Sequence, residues 1–265
     1  MLTKRLITSL WALPLAIVAI WFDQPLPWFA ILVAICGLVA VYEFYQMVAA
    51  AKVPPLTYFG LIGTLVFILS PLFELSRPLI LSLIVVLSLI LLLARRQKEQ
   101  AFASWAWTIA GILYLGWLLS YLVALRGLDD GRNWVLFALF VTFATDTSAF
   151  FVGRALGRHR LAPQISPAKT WEGAIGGVFG AVIISQLFVL ATPLVLPLTW
   201  WQAILLGLVV SVFCQLGDLV ESLFKRNMEA KEAGRLFPGH GGSLDRLDSI
   251  IFAGIVVYYY VIWVI

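Results

Sequence analysis

Charged residues are scarce in this sequence of 265 residues. They make up 12% of it, while 62% of its residues are hydrophobic. A soluble domain has about 25% charged and about 45–50% apolar residues, so the composition excludes a water-soluble globular protein. The few charges sum to +4 and lie in short clusters between long apolar runs. Because they form no basic domain, nucleic-acid binding is not predicted.

Cysteine is scarce as well, since Cys36 and Cys214 are the only two in the chain. They lie in different apolar runs and neither has metal-ligand spacing around it, which excludes a disulfide framework and a thiolate metal site. No internal repeat or low-complexity tract is visible beyond the apolar runs themselves. The two cysteines are therefore predicted to be small core residues.

Long apolar runs are what the sequence has in abundance. A helix rises about 1.5 Å per residue and a bilayer core is about 30 Å thick, so about 20 mostly apolar residues cross it. The sequence predicts an all-α, polytopic integral membrane protein with about nine transmembrane helices. No small-residue cleavage site follows the first run, which is interpreted as an uncleaved span. The runs cover residues 6–22, 28–48, 56–73, 78–94, 101–125, 134–152, 174–198, 200–224 and 249–265.

The distribution of Lys and Arg predicts the orientation of these spans. With the N-terminus inside, only Arg77, Arg126 and Arg132 of the 18 Lys and Arg residues fall outside, and the other 15 lie on the cytoplasmic side. Positively charged loop residues are enriched on the cytoplasmic side of membrane proteins. The N-terminus is therefore predicted to be cytoplasmic and the C-terminus to lie outside.

The chain divides by character into two parts. Residues 1–133 hold five predicted spans, and Glu43 is the only acidic residue inside one of them. Residues 134–265 hold four spans, almost all embedded polar groups, and the long cytoplasmic loops 153–173 and 225–248. An ionisable group at membrane depth costs at least about 2.5–3.5 kcal/mol, so each needs a partner or a purpose. The functional site is predicted in the second part, and Glu43 is interpreted as a helix-packing carboxylate with a polar partner.

Carboxylates from three helices are predicted to meet at the cytoplasmic face. Asp146 lies near that end of the sixth span. The eighth span carries Asp218 and Glu221 near the same face, and the ninth begins after Asp245 and Asp248. Oxygen ligands beside lysines, arginines and a Gly-rich helix start are typical of a site for Mg²⁺ and phosphate. The sequence therefore predicts such a site at this face of the membrane.

Two segments next to these carboxylates suit a phosphate. The Gly-rich turn of residues 238–243 lets backbone N–H groups approach an anion, and Ser243 is predicted to cap the ninth helix. In the other loop, Ser166 is predicted to cap the seventh helix, with Pro167 at its first position and Lys169 in its first turn. Recurring glycines are predicted to let that helix pack closely against a neighbour in lipid: Gly173, Gly176, Gly177 and Gly180.

At these residues the sequence resembles the phosphatidate cytidylyltransferases, the CDP-diacylglycerol synthases. The resemblance is carried by Ser222-Leu-Phe-Lys-Arg, by Lys231-Glu-Ala-Gly, and by the run Pro238-Gly-His-Gly-Gly-Ser-Leu-Asp-Arg-Leu-Asp. Ser166-Pro-Ala-Lys-Thr-Trp-Glu-Gly and Asp146-Thr-Ser-Ala-Phe resemble other segments of that family. The resemblance covers mostly residues 146–249. Glu232 departs from it, because the family usually has Asp at this position.

The resemblance implies an enzyme that transfers the CMP group of CTP to phosphatidic acid, which gives CDP-diacylglycerol and pyrophosphate for phospholipid biosynthesis. It implies Mg²⁺ as cofactor and CTP, phosphatidic acid and the lipid bilayer as partners, at the cytoplasmic side of a bacterial-type inner membrane. Whether two copies form a homodimer stays open. A phosphate monoester has a second pKa of about 6. Direct displacement without a general base is therefore expected.

The candidate residues fall into three sets. The predicted metal ligands are Asp218, Asp245 and Glu221. The predicted catalytic residues are Asp218, Asp245, Asp248, Lys169, Lys225, Arg226 and Asp146. The predicted substrate-binding residues are Ser166, Lys169, Thr170, Glu172, Ser222, Lys225, Arg226, Lys231, His240, Gly241, Gly242 and Arg246.

Other interpretations stay open at this point. An ion-coupled secondary transporter would hold its acids near the midplane, usually within an inverted repeat, whereas these acids lie at one face. Another membrane phosphotransferase, of the CDP-alcohol type, uses similar acids, but the full Asp-Gly, Ala-Arg and spaced Asp pattern of that family is absent. A buried ion pair with Lys or Arg is the structural alternative for Asp218 and Asp245.

Overall fold

The described part of the chain is mostly helical and contains one short hairpin. A computed structural model describes residues 14–22, 24–93, 100–230, 232–234 and 241–265. The helices are α1 (Trp28–Ala50), α2 (Thr57–Leu69), α3 (Arg77–Leu93), α4 (Ala101–Gly111), α5 (Leu118–Arg126), α6 (Gly131–Leu156), α7 (Trp171–Ser185), α8 (Trp200–Asn227) and α9 (Leu244–Val264). The strands are β1 (Arg160–Ala162) and β2 (Ser166–Thr170). Shorter helical turns follow α2 (Ser70–Phe73), join α4 to α5 (Ile112–Trp117) and follow α7 (Gln186–Phe188).

Six helical stretches within the described ranges are long and apolar enough to cross a membrane, which supports the prediction of a helical membrane protein. Two further predicted spans correspond to shorter apolar stretches, Thr57–Phe73 and Arg77–Leu93. Residues 6–13 of the first predicted span lie outside the described residues. The total of nine spans and their orientation therefore stay predictions. The six long stretches are Trp28–Ala50, Ala101–Arg126, Gly131–Leu156, Trp171–Phe188, Trp200–Asn227 and Leu244–Val264.

The prediction that the seventh span continues as a helix to residue 198 is wrong. α7 ends at Ser185 and is followed by the helical turn Gln186–Phe188. Residues 189–199, between this turn and α8, are irregular. Pro193 has no backbone N–H with which to continue a helix. The side-chain amide of Asn133 on α6 donates to the carbonyl oxygens of Pro193 and Val195, at 3.2 Å each. In a helix these two carbonyl oxygens would accept backbone N–H groups. Here the Asn133 side chain is their hydrogen-bond donor instead.

The prediction that glycines let α7 pack closely is confirmed. A Cβ atom added to Gly177 would lie 3.0 Å from the backbone oxygen of Thr145 on α6. One added to Gly173 would lie 2.9 Å from the backbone oxygen of Ala149. Real Cβ atoms are almost never found below 3.0 Å from such neighbours, so this approach of the two helices requires glycine at position 173 and leaves little room at position 177.

The predicted start of the seventh helix at Ser166 is wrong. Residues 166–170 form β2 and pair antiparallel with β1. The hydroxyl of Thr170, not of Ser166, caps α7, and it accepts the backbone N–H of Gly173 at 3.2 Å. Ser and Thr are both good capping residues, and Pro167 suits a helix start as well as an exposed strand. Lys169 therefore lies in a strand and not in a helical turn.

Packing groups the described residues into two compact units. The described residues of Met1–Gly127 and Asn227–Leu247 form the first unit. Those of Leu128–Arg226 and Asp248–Ile265 form the second unit. The predicted functional residues occur in both units. The division between residues 133 and 134, which separates the mostly apolar spans from those that carry the embedded polar groups, stays a prediction.

The first unit contains an apolar core and polar ties between its helices. The hydroxyl of Tyr45 on α1 donates to the backbone oxygen of Thr108 on α4 at 2.7 Å. The rings of Phe67 and Trp117 stack with their centroids 5.8 Å apart. The hydrogen bond therefore ties α1 to α4, and the stacked rings tie α2 to the helical turn before α5. One cluster of this core contains Phe67, Ile80, Ile84 and Ile112.

Candidate active site

Three carboxylates lie close together in the second unit. Asp218 and Glu221 stand one turn apart on α8, and Asp248 stands in the second turn of α9. One oxygen atom from each lies within 4.8 Å of the other two. Glu221 is 1% exposed, so its charge has little access to water. We call these three residues the carboxylate cluster, and like charges at this spacing need neighbouring cations.

Two lysines supply positive charge to the carboxylate cluster. The Nζ atom of Lys169 on β2 lies 2.7 Å from Oδ2 of Asp218. Lys225, one turn after Glu221 on α8, forms an ion pair with the Glu221 carboxylate. The lysine side chains are only 24% and 16% exposed, respectively. Partly shielded ammonium groups at this position are suited to neutralise both the cluster and an arriving anion.

Further polar groups surround the same cluster. The hydroxyl of Ser222 donates to Oδ1 of Asp218 at 3.4 Å. Oδ1 of Asp248 accepts the backbone N–H of Ser249 at 2.7 Å. Asp146, exposed on α6, is close enough to repel Asp248 electrostatically. The structure therefore brings together residues that the sequence placed on three different helices.

Gly217 allows the close approach of α8 and α9 at the carboxylate cluster. A Cβ atom at this position would lie 2.6 Å from the backbone oxygen of Asp248 and 2.7 Å from the ring of Phe252. Because Gly217 directly precedes Asp218, this contact also sets the depth of Asp218 beside α9. Gly217 is not among the residues predicted from the sequence, although a glycine next to an embedded Asp was the available signal.

Side chains at the ends of α7 and α8 hold the β1–β2 hairpin, which carries Lys169. The Nε atom of Arg226 donates to the backbone oxygen of Ile165 at 3.1 Å. The carboxylate of Glu172 accepts the backbone N–H of Arg158 at 3.1 Å and lies 2.6 Å from Nδ1 of His159. Arg226 and Glu172, both predicted to bind substrate, therefore also organise this loop.

Asp245 organises the described end of the Gly-rich turn, residues 241–243, in the first unit. Its Oδ2 atom accepts the backbone N–H groups of Gly242 at 2.7 Å and Ala233 at 3.1 Å. Gly241 has φ +80°, which side-chain-bearing residues rarely adopt, and a Cβ there would lie 2.5 Å from the Asp245 carboxylate. The turn therefore requires glycine at position 241. The joint binding of one metal ion by Asp218 and Asp245 stays a prediction.

The remaining predicted substrate-binding residues have less defined surroundings. Ser166 is half-buried on β2, and Arg246 is exposed near the start of α9. Lys231 and His240 lie outside the described residues. Their roles, like the catalytic and substrate-binding roles of the whole predicted set, stay predictions.

Glu43, which is not among the predicted site residues, contacts the segment around Asp245. Its Oε2 atom accepts the backbone N–H of Leu244, the first residue of α9, at 3.1 Å. The sequence predicted a polar partner for this carboxylate. The partner is the first backbone N–H of a helix that begins 201 residues later in the chain. The available signal was that no other acid lies within a predicted span of residues 1–133.

The sequence profile of the cytidylyltransferase family matches residues 3–264, nearly the whole chain. The chain belongs to this family. It is 35% identical over 240 residues to a phosphatidate cytidylyltransferase of Bacillus subtilis (strain 168), and the match covers 87% of each chain. It is 44% identical over 153 residues to that of Brucella abortus biovar 1, with 57% of this chain and 56% of the relative covered. A match to that of Staphylococcus haemolyticus is 40% identical over 156 residues and covers 59% and 58%.

The carboxylate cluster of this cytidylyltransferase-family chain has the donor set that a divalent cation requires. Carboxylate oxygens are the hard ligands that Mg²⁺ prefers, and the ion is usually held by one or two carboxylates, substrate phosphates and waters. Asp218 and Asp248 are half-buried, not fully enclosed. The cluster therefore fits a metal ion that also contacts a nucleotide.

Proposed function

We propose that this chain transfers the CMP group of CTP to phosphatidic acid and forms CDP-diacylglycerol and pyrophosphate. The carrying observation is the carboxylate cluster, with Lys169 and Lys225 beside it, in a member of the cytidylyltransferase family. The matched relatives are named phosphatidate cytidylyltransferases. Phosphatidic acid keeps its acyl chains in the bilayer, and CTP arrives from water. A polar site near the ends of membrane helices is accessible to both.

Mg²⁺ is the metal we propose for the carboxylate cluster. Asp218, Glu221 and Asp248 would hold it, and Asp245 remains a predicted further ligand from the sequence. When bound, the ion neutralises phosphate charge and polarises the reacting phosphoryl group. The short distances among the three carboxylates and the hard character of their oxygens support this assignment.

The chain's own cations address the main obstacle of the reaction, which is one anion approaching another. Lys169, Lys225 and Arg226 would bind phosphate oxygens of the two substrates and orient them. The phosphatidate oxygen forms a bond to the α-phosphorus of CTP, and the bond from that phosphorus to pyrophosphate breaks in line. At pH 7 the phosphate monoester is mostly ionised, because its second pKa is about 6. No side chain is therefore needed as a general base.

The reaction is tested with α-labelled CTP, Mg²⁺ and the purified full-length protein. Labelled CDP-diacylglycerol is expected only when phosphatidic acid is present, and no label is expected on the protein when it is absent. Because both substrates react in one complex, initial rates should follow sequential and not ping-pong kinetics. The rate should fall as the pH drops through about 6, where the monoester becomes protonated.

Two controls make this result specific. Omission of Mg²⁺ with added chelator should abolish lipid labelling, and heat-denatured protein should give none. Absence of labelled lipid under all conditions would reject the proposed function. A labelled protein that passes CMP to phosphatidic acid added later would reject direct displacement but keep the substrates.

We propose the cytoplasmic side of a bacterial-type inner membrane for the site, with nine spans and the C-terminus outside. The distribution of 15 of 18 Lys and Arg residues supports this orientation. The bond between Glu43, near the end of α1, and Leu244, at the start of α9, supports an even number of spans between these two helices. Both helix ends then lie at one membrane face, as the six intervening predicted spans require.

Cysteine labelling in intact cells tests the orientation. In a Cys36→Ala/Cys214→Ala background, Gln164→Cys and Asn227→Cys should react only after the cytoplasmic side is made accessible. Asp129→Cys and Ala191→Cys should react with an impermeant reagent from outside. All four positions are exposed, so labelling depends on the side of the membrane that the reagent can reach and not on burial of the cysteine. Labelling of Gln164→Cys or Asn227→Cys from outside would reject the orientation.

A further inference from the structure

A buried carboxylate on α1 holds the start of α9. Glu43 is 8% exposed, and its Oε2 atom accepts the backbone N–H of Leu244 at 3.1 Å. The first N–H groups of a helix have no partner within the helix and carry the positive end of its dipole. A carboxylate is therefore a strong acceptor for such a group, and the contact fixes the position at which α9 begins.

Two glycines bring the loop backbone directly against this carboxylate. A Cβ atom on Gly242, just before α9, or on Gly234 would overlap the Glu43 side chain. These glycines lie on either side of residues 235–240, in the segment between α8 and α9. The backbone at Gly234 and at Gly242 therefore fits closely against Glu43.

Two further side chains complete the connection between this segment and α1. The hydroxyl of Ser243 donates to the backbone oxygen of Cys36 at 3.0 Å, two turns before Glu43 on α1. Asp245 gathers the backbone N–H groups of Gly242 and Ala233. Residues 233–234 and 241–243 are thus held by α1 and by the first turn of α9, and all of these contacts lie within the first unit.

We infer that Glu43 is a positioning residue for the reaction: it fixes the start of α9, and with it Asp245, without contacting substrate. The inference rests on the proposed function, because Asp245 matters only if it serves CMP transfer. Asp245 is the second residue of α9 and lies in the same unit as Glu43. A shift of the helix start therefore displaces the Asp245 carboxylate.

Substitution of Glu43 should alter metal use more than folding. Glu43→Ala removes the acceptor of the Leu244 N–H and the group against which Gly234 and Gly242 pack. We expect kcat to fall by about 10–100-fold, as for residues that orient metal ligands, and the Mg²⁺ concentration for half-maximal rate to rise. Glu43→Gln retains an acceptor oxygen of nearly the same size and should recover most of the activity.

Tyr45→Phe is the matched control. It removes one buried hydrogen bond of the same helix, to the backbone oxygen of Thr108, without touching the segment before α9. Its thermal stability in detergent should fall, while the Mg²⁺ dependence of the rate should stay that of the wild type. If Tyr45→Phe shifts the Mg²⁺ dependence as Glu43→Ala does, general destabilisation explains both and the inference is rejected.

A double-mutant cycle tests the contact itself. Gly234→Ala should impair activity because the added methyl group overlaps the Glu43 side chain. In the Glu43→Ala background the overlap disappears, so Gly234→Ala should cause little further loss. Additive losses would show that Gly234 does not act through Glu43 and would overturn the inference.

Hydrogen exchange separates this inference from the proposed function. In the full-length protein without substrate, the amides of residues 241–247 should be protected in the wild type and in Glu43→Gln, and should exchange at least about 10-fold faster in Glu43→Ala. If the wild type makes no CDP-diacylglycerol but shows this pattern, the proposed function fails while the anchoring role stands. Unchanged exchange in Glu43→Ala, or wild-type kcat and Mg²⁺ dependence, overturns the inference.

Discussion

Asp218→Asn is expected to lower kcat by roughly 1,000-fold, with membrane insertion and thermal stability close to those of the wild type. The amide keeps the volume of the carboxylate but removes the charge that would hold a cation. Stabilisation by a metal ion amounts to several kcal/mol, and each 1.4 kcal/mol is a factor of ten in rate. The measurement is CTP-dependent formation of CDP-diacylglycerol by the purified variant across a Mg²⁺ titration.

Asp129→Asn provides the control for this substitution. Asp129 is an exposed aspartate between α5 and α6, outside the proposed site, and its amide variant should retain wild-type kinetics. The ligand role of Asp218 is refuted if Asp218→Asn keeps near wild-type activity at saturating Mg²⁺.

Lys169→Gln should lower kcat by about 100-fold, because it removes the cation 2.7 Å from Asp218. Loss of one preorganised electrostatic group in an active site typically costs about 100–1,000-fold. Lys169→Arg keeps the charge with a different shape and should recover part of the activity. Steady-state kinetics with both substrates varied will show whether the loss lies in kcat.

The pairing of Lys169 with Asp218 adds a second measurement to the same prediction. Groups that act as one unit are not additive, so Lys169→Gln/Asp218→Asn should be little worse than Asp218→Asn alone. Lys52→Gln, which changes an exposed lysine between α1 and α2, is the matched control. If Lys52→Gln and Lys169→Gln lowered kcat by the same small factor, the effect of Lys169 would come from net charge alone, and its proposed role beside Asp218 would be refuted.

The sequence predicted those parts of the fold that short-range patterns determine. α1 was predicted over residues 28–48 and is found at Trp28–Ala50, because the length of an apolar run sets the length of a membrane helix. The close packing of α7 followed from its glycines. The β1–β2 hairpin was not predicted, because its pairing depends on how the loop closes between two helices and on contacts such as that between Arg226 and Ile165.

The site was predictable in composition but not in its detailed contacts. The spacing of Asp218 and Glu221 places both on one face of α8, as found. The same spacing on α9 makes Asp245 and Asp248 equivalent, and only the structure shows Asp248 in the carboxylate cluster and Asp245 bonded to backbone N–H groups. Glu43 could not be assigned, because no local pattern encodes a partner 201 residues away.

The contact between Glu43 and Leu244 also has a consequence for biosynthesis. α1 enters the membrane long before its partner exists, since 201 residues separate the two groups. At about 5–20 residues per second, the ribosome needs about 10–40 s to make that length of chain. Throughout this interval the first unit lacks the segment that covers its embedded acid, at a cost of at least about 2.5–3.5 kcal/mol for an unpaired charge in lipid. The surroundings of Glu43 are therefore completed only after the start of the last helix has been translated.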